Sequence, residues 1–382
     1  MSTSVETGQL LRTALYDYHV SHGGKMVEYA GWEMPLHYGS ILEEHNQVRR
    51  SGGMFDVSHM GRLRFGGKDA RKFLDHVCTR QIVDMTPGAV RYSIVCNPAG
   101  GCHDDVLVYK LGEHDFYMVC NAANRLKLVK HFNDVKSERG FVFKMEDETQ
   151  STAMIAIQGP KVMGLMGGFS REVAALKRYR FVEKNLILAK VMISRTGYTG
   201  EDGVEVILPA RFVNKALDMM LGQNEAMETI KPTGLGARDS LRLEASMALY
   251  GHEIDEERDP WSAGVQFAIK LDKGVEHPEA GRFIGQDALE NIAKNGTRQK
   301  LAGLELEGKR SARQGMKVMI GGKDAGVVTS GCLSPTLGKA IAMAYVEPAH
   351  TAVGTAVQID LGKVTAEAKV VPMPFYKAPP ST

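Results

Sequence analysis

The chain lacks most of the features that would tie it to a special surface or compartment. Its 47 lysines and arginines stand against 45 aspartates and glutamates, a formal net charge of +2. No excess of either sign therefore singles out nucleic acid or a strongly acidic partner. No apolar run approaches the roughly 18 residues that a membrane helix requires. The polar opening from Met1 to Gln9 carries Glu6 and no apolar h-region. It points away from secretion or a mitochondrial transit peptide and toward the cytoplasm. The cysteines, Cys78, Cys96, Cys102, Cys120 and Cys332, are odd in number and contain no C-x-x-C pair, as expected of free thiols in a reducing compartment. There is no H-E-x-x-H, and His103 beside Asp104 and Asp105 has no second histidine at ligand spacing, so no metal site is expected.

What is present is a globular balance of 43% apolar and 24% charged residues, over a length of 382 that suits two or three domains. A helical stretch from Ser40 to Ser51 ends at Gly52-Gly53, read as a C-cap, and Met54 to Gly61 alternates like a strand. The polar members of that strand are either structural or reach a cleft. Asp69 to Val77 has apolar residues at helical spacing, and strands are expected at 91–96, 106–110 and 116–121 before a helix from Arg125 to Val135. The rhythm from Val57 to Phe143 is that of a ferredoxin-like α+β unit.

Further strands are expected at 151–157, 190–194 and 204–208, with a glycine-broken helix near Val162 to Met166. The loop from Arg195 to Gly203 is either an ordinary hairpin or a site. Helix Arg211 to Leu221 precedes a second one over Gly234 to Ala245. There Arg238 falls in the first turn, where a cation opposes the helix dipole and calls for an anion nearby. Asp255 to Pro260 is a charged boundary, and after helix Gly285 to Ala293 come short strands at 301–306, 317–320, 326–330, 340–346 and 356–361. These describe an all-β barrel or sandwich.

The stretch from Gly100 to Tyr109, Gly-Gly-Cys-His-Asp-Asp-Val-Leu-Val-Tyr, delivers two adjacent carboxylates onto the start of a strand. Neighbouring strand side chains point to opposite faces, so one of Asp104 and Asp105 looks inward and the other toward solvent or a loop. An inward carboxylate needs a donor, a cation or a ligand. The alternative is one turn cap and one solvated acid.

Together with Ala30 to Pro35, Phe55 to Met60, Gln158-Gly159-Pro160, Arg195 to Glu205, Gly234 to Ala245, Thr329 to Gly331 with Ser334-Pro335, and Pro374 to Tyr376, this stretch resembles the aminomethyltransferase, or T-protein, family of the glycine cleavage system along essentially the whole chain. The resemblance implies an α+β, three-domain folate-binding fold around a central channel, with an inserted ferredoxin-like domain and a C-terminal β-barrel or jelly-roll-like domain. Its expected divisions are 1–53 with 148–255, then 54–147, a connecting helical segment at 256–295, and the barrel at 296–382.

The implied reaction passes the methylene group of an aminomethyl-dihydrolipoyl arm on the lipoylated H-protein to tetrahydrofolate, releasing ammonia and giving 5,10-methylenetetrahydrofolate. No metal, membrane or nucleic acid is implied. The family pattern places the catalytic carboxylate on Asp105, leaves Asp104 a structural role, and assigns folate contacts to Tyr92, Tyr109, Asn121, Tyr198, Glu205, Arg238 and Tyr376. Met247 departs from the pattern, standing where some relatives carry a tyrosine. Lys309, Arg310 and Arg313 form a basic cluster suited to an acidic H-protein, to guarding the cleft, or to a solvated surface.

Two other readings are weighed, the second of them from a different class. A folate-dependent demethylase of the same superfamily tends to alter the acidic pair, which is intact here. A noncatalytic iron–sulfur assembly factor carries a cysteine in the loop that here reads Arg195 to Asp202.

Overall fold

The computed structural model describes residues 9–186, 189–221, 224–275 and 277–379, so the polar opening lies outside the described residues up to Gly8. No helix among the described residues is long and apolar enough to cross a membrane.

Three sheets carry the architecture, beside a small three-stranded one near the N-terminus. The first main sheet has six strands in the order Phe181–Leu186, Ala189–Ser194, Gly203–Pro209, Thr152–Gln158, Gly52–Asp56 and Ile230–Pro232. Its neighbours are antiparallel except for the last pair. Asp56 faces Ile155 across it, although the residues between them build a second sheet. That second sheet is antiparallel and five-stranded, in the order Val90–Cys96, Cys102–Lys110, Asp115–Cys120, Gly61–Gly66 and Lys144–Asp147. Helices Ala70–Val77 and Arg125–Arg139 supply Phe73, Leu74, Leu128 and Phe132 to its core. The third sheet is a closed barrel of six antiparallel strands, running from Lys300–Leu306 to Thr365–Val371. Closure removes the exposed edges that an open sandwich would leave.

Several expectations are corrected. Gly52-Gly53 do not cap the preceding helix Ile41–Arg50; they begin a buried strand, and a Cβ on Gly53 would lie 2.5 Å from Val48 Cγ2 and 2.6 Å from Thr233 Oγ1. Close packing on both sides, not turn geometry, demands glycine there. The strand stops at Asp56, because Val57 to Met60 form a turn before the Gly61–Gly66 strand; Gly52 to Asp56 are all buried and show no alternation. The inserted sheet has one strand more than the ferredoxin-like order. The strands Phe181–Leu186 and Thr365–Val371 escaped notice because polar residues interrupt their apolar pattern.

Candidate functional site

The three sheets meet around a cavity of about 560 Å³, a size in the usual range for small-molecule sites. The five-stranded sheet contributes Tyr92 and Asp105, the six-stranded sheet Glu205, the loop before it Thr196 and Tyr198, and helix Leu235–Glu244 contributes Arg238. The segment 245–250, Phe267, Leu301 from the barrel, and Met373 with Pro374 add to the wall.

Local geometry separates the two adjacent aspartates. They sit opposite Val95 and Ile94 in a regular antiparallel ladder, so their side chains leave the sheet on opposite faces. Asp104 is fully buried and accepts bonds from the Asn121 backbone N–H (3.0 Å), Asn121 Nδ2 (2.8 Å) and Asn124 Nδ2 (2.6 Å). It thereby anchors the turn that ends the Asp115–Cys120 strand and caps nothing in its own turn. Asp105 lines the cavity, accepting from the Tyr92 hydroxyl at 3.1 Å and from Asn121 Nδ2 at 2.6 Å. The Asn121 amide thus bridges both acids. Burial lifts both carboxyls above the ordinary carboxylate range, and the charge of Asp105 lifts Asp104 further. The neighbouring histidine, His103, is engaged by Glu256 at 2.9 Å.

A second polar group lies at Glu205, which is 5% exposed and accepts a short bond from Thr196 Oγ1. Burial raises its carboxyl; the Thr196 bond and the Arg238 charge oppose that rise. The Arg238 guanidinium lies over the Tyr198 ring at 4.8 Å, and its Nη1 is buried with no hydrogen-bond partner among the described residues. The Tyr198 hydroxyl donates to the Ala248 carbonyl at 2.5 Å, presenting its ring to the cavity. Glu205 is thus the nearby anion that the helix position of Arg238 calls for.

The structure brings Tyr92, Asp105, Asn121, Tyr198, Glu205 and Arg238 to one cavity. Two expected residues are placed elsewhere. Tyr109 is fully buried beneath it, edge-on to Phe181 with ring centroids 5.6 Å apart and its hydroxyl 3.4 Å from Ser194 Oγ. It follows Asp105 by an even number of residues, and so shares a nominal face, but it lies where the two large sheets pack together. Tyr376 does not line the cavity either: its N–H donates to the Glu244 carbonyl at 2.8 Å, and its ring lies 4.0 Å from the Arg49 guanidinium. Met373 and Pro374 reach the wall instead.

Sequence reasoning missed Tyr29, Thr196, Phe267 and, as a cavity residue, His59. Phe267 is 61% exposed and stacks on Tyr92 at 5.6 Å. The position of His59 among the polar members of 54–61 was the only available hint. Backbone strain also converges here. Ala30, Tyr179 and Ser246 are the non-glycine residues with positive φ among the described residues, at 51°, 58° and 53°, and all three line the cavity. Left-handed backbone at such residues is costly and collects at functional sites; no local sequence signal announces it.

Comparison with known proteins identifies the family. Residues 15–273 match the GCVT N-terminal domain and residues 299–377 the glycine cleavage T-protein C-terminal barrel domain. The chain is 44% identical to the aminomethyltransferase of Rubrobacter xylanophilus, over 98% of this chain and 96% of that one. It is 38% identical to the aminomethyltransferase of Bacillus subtilis, over 96% and 99% respectively. The crystal structure of the glycine cleavage system aminomethyltransferase T from Bartonella henselae superposes with a TM-score of 0.87 at 29% identity, covering 97% of this chain and 99% of that one. The chain belongs to the glycine cleavage T-protein family of aminomethyltransferases.

Proposed function

We propose that this aminomethyltransferase takes the methylene group from an aminomethyl-dihydrolipoyl arm of the lipoylated H-protein and passes it to tetrahydrofolate, releasing ammonia and forming 5,10-methylenetetrahydrofolate. The observation that carries the reading is Asp105, a carboxylate in the cavity wall, held by Tyr92 and Asn121 and raised in pKa by burial.

The cavity suits a folate. Glu205 offers two acceptor oxygens to the row of N–H donors on a pterin, and the orphaned Arg238 Nη1 supplies a donor for an adjacent carbonyl. Tyr92 and Tyr198 supply aromatic faces for a flat ring. When bound, tetrahydrofolate supplies the nitrogens that receive the one-carbon unit. The chain's own part is to orient them and to hold either a proton or a developing positive charge at the Asp105 carboxylate. Tyr92 and Asn121 keep that carboxylate in one position, and Asp104 keeps Asn121 there.

We further read the six-stranded, five-stranded and barrel sheets as the cores of the three domains. The basic residues Lys309, Arg310 and Arg313 are assigned to an acidic H-protein surface. The free cysteines suit a reducing compartment, which we take to be the cytoplasm. The test supplies aminomethylated H-protein and tetrahydrofolate and follows ammonia. Release should depend on folate and fall at least about 100-fold in Asp105→Asn, by analogy with losing a positioned charge-stabilising group. Full activity in that variant, or equal turnover of a methylated sulfonium without H-protein, would refute the proposal.

A further inference from the structure

His59 sits in the turn after the Gly52–Asp56 strand, 5% exposed, and lines the cavity. Its Nδ1 is buried without a partner, and neither ring nitrogen is hydrogen-bonded to a described residue. The charged groups facing it cannot remedy this, because they are already committed. Asp56 accepts from Thr13 Oγ1 and His19 through Oδ2 and from the Ser58 N–H through Oδ1. All three nitrogens of Arg62 donate to the Ser58, Met60, Thr149 and Thr152 carbonyls or to the Thr152 hydroxyl. Tyr29 presents its ring edge-on at 5.5 Å and 84°, which fixes the imidazole plane without satisfying its nitrogens.

Burial, opposed by Asp56 and reinforced by Arg238 and Arg62, lowers the imidazole to about 4, so the ring is neutral near pH 7. It then carries one N–H donor and one bare acceptor nitrogen. A buried ring nitrogen left without a partner, as Nδ1 is, is costly and rare in folded proteins. Arg238, whose charge reaches His59, also has an orphaned atom in this cavity, and Ser246 Oγ is a third. Three unsatisfied groups on one cavity wall, two of them within electrostatic reach of each other, are what a missing polar ligand head leaves behind.

We propose that His59 is a third reader of the ligand's bicyclic head, beside Glu205 and Arg238. The inference rests on the folate reading above. A carboxylate can take the amino and ring N–H donors of a pterin, and a guanidinium its carbonyl oxygen. The head still has a ring acceptor nitrogen and a ring N–H, and a neutral imidazole matches either.

The experiment compares unaltered protein with His59→Gln, His59→Phe and the smaller His59→Leu, measuring tetrahydrofolate binding by calorimetry and unfolding temperature without ligand. Gln restores an amide near Nε2, whereas Phe and Leu remove all hydrogen-bonding capacity. Binding should weaken about 5- to 20-fold in Phe and Leu, the loss of roughly one hydrogen bond, and stay within about threefold in Gln. At least one apolar variant should melt at or above the temperature of the unaltered protein, because the orphaned Nδ1 is gone. Equal binding by all variants, or a lowered melting temperature in both apolar variants, would overturn the assignment to His59. Failure of the unaltered protein to bind tetrahydrofolate would instead remove the folate reading, and this inference with it.

Discussion

At the scale of single residues, the site turns on two neighbouring aspartates with different tasks. Asp104 holds three N–H groups and Asp105 faces the cavity, so replacing each by asparagine should give opposite signatures. Asp104→Asn aims an amide N–H at other N–H donors and should lower stability by about 1–3 kcal/mol, as expected for an unsatisfied buried group. Asp105→Asn should leave the fold intact and remove activity.

The pH dependence of stability separates them again. The Asp105 pKa is raised in the folded state, so its contribution is present below the ordinary carboxylate value of 3.8 and is lost as pH rises through the folded value. Asp105→Asn removes that loss and relieves the repulsion felt by Asp104. The variant should therefore gain stability over the unaltered protein at pH 8 relative to pH 4. Denaturant titrations at both pH values would show it, and an unchanged difference would count against a buried, repelling pair.

At the scale of elements, glycine positions decide how closely the cavity loop approaches the sheet beneath it. A Cβ on Gly197 would lie 1.8 Å from Gln158 Oε1, while Gln158 Nε2 donates to the Thr196 and Val204 carbonyls at 3.1 and 3.2 Å. The loop rests on that side chain, and both Thr196 and Tyr198 project from it into the cavity. Gly197→Ala should displace the loop, weaken tetrahydrofolate binding about tenfold or more, since small misplacements at such sites are costly, and lower the melting temperature only slightly. Calorimetry and a thermal melt on the same sample decide it.

Element type was largely legible: the helices at 70–77, 125–139 and 235–244 follow from apolar spacing, as do most barrel strands. Gly52-Gly53 misled because a glycine pair has the same appearance whether it caps a helix or admits a packed neighbour.

At the scale of the whole molecule, a buried ionic clasp joins parts distant in sequence. Arg49 contacts Glu201 and Glu244 at 2.8 Å each, and Glu244 also accepts from Ser334 and from Thr336 of the barrel. The two carboxylates are 3% and 0% exposed. Arg49→Met would remove the cation from both and leave Glu201 without its charged partner, and an uncompensated buried charge of this kind costs about 3–5 kcal/mol. A clear fall in the melting temperature and faster proteolysis are expected; a melt within a degree of the unaltered protein would argue against the clasp.

Acid should act through the same groups. Burial alone would raise Glu244 and Asp56, but bonds from His45, Ser334 and Thr336 hold the first down to about 2, and bonds from His19, Ser58 and Thr13 hold the second down to about 2. Both lie below their ordinary values of 4.5 and 3.8, so their contribution is present above those values and is lost as pH falls toward 2. The denaturation midpoint should drop steeply over that interval, and less so in Glu244→Gln.

By itself the sequence determined the globular composition, the run of helices and strands, and, through ordered motifs, the family and six of the residues that line the cavity. These are properties of spacing and of side-chain identity, which survive without coordinates. Only the tertiary structure decided that Tyr109 and Tyr376 stand outside the cavity wall, that His59 and Phe267 stand in it, and that Asp104 serves Asn121. The physical reason is that a periodic pattern specifies which face of a strand a residue occupies. What covers that face is set by packing between elements far apart in the chain, as Asp56 and Ile155 or Arg49 and Glu244 illustrate.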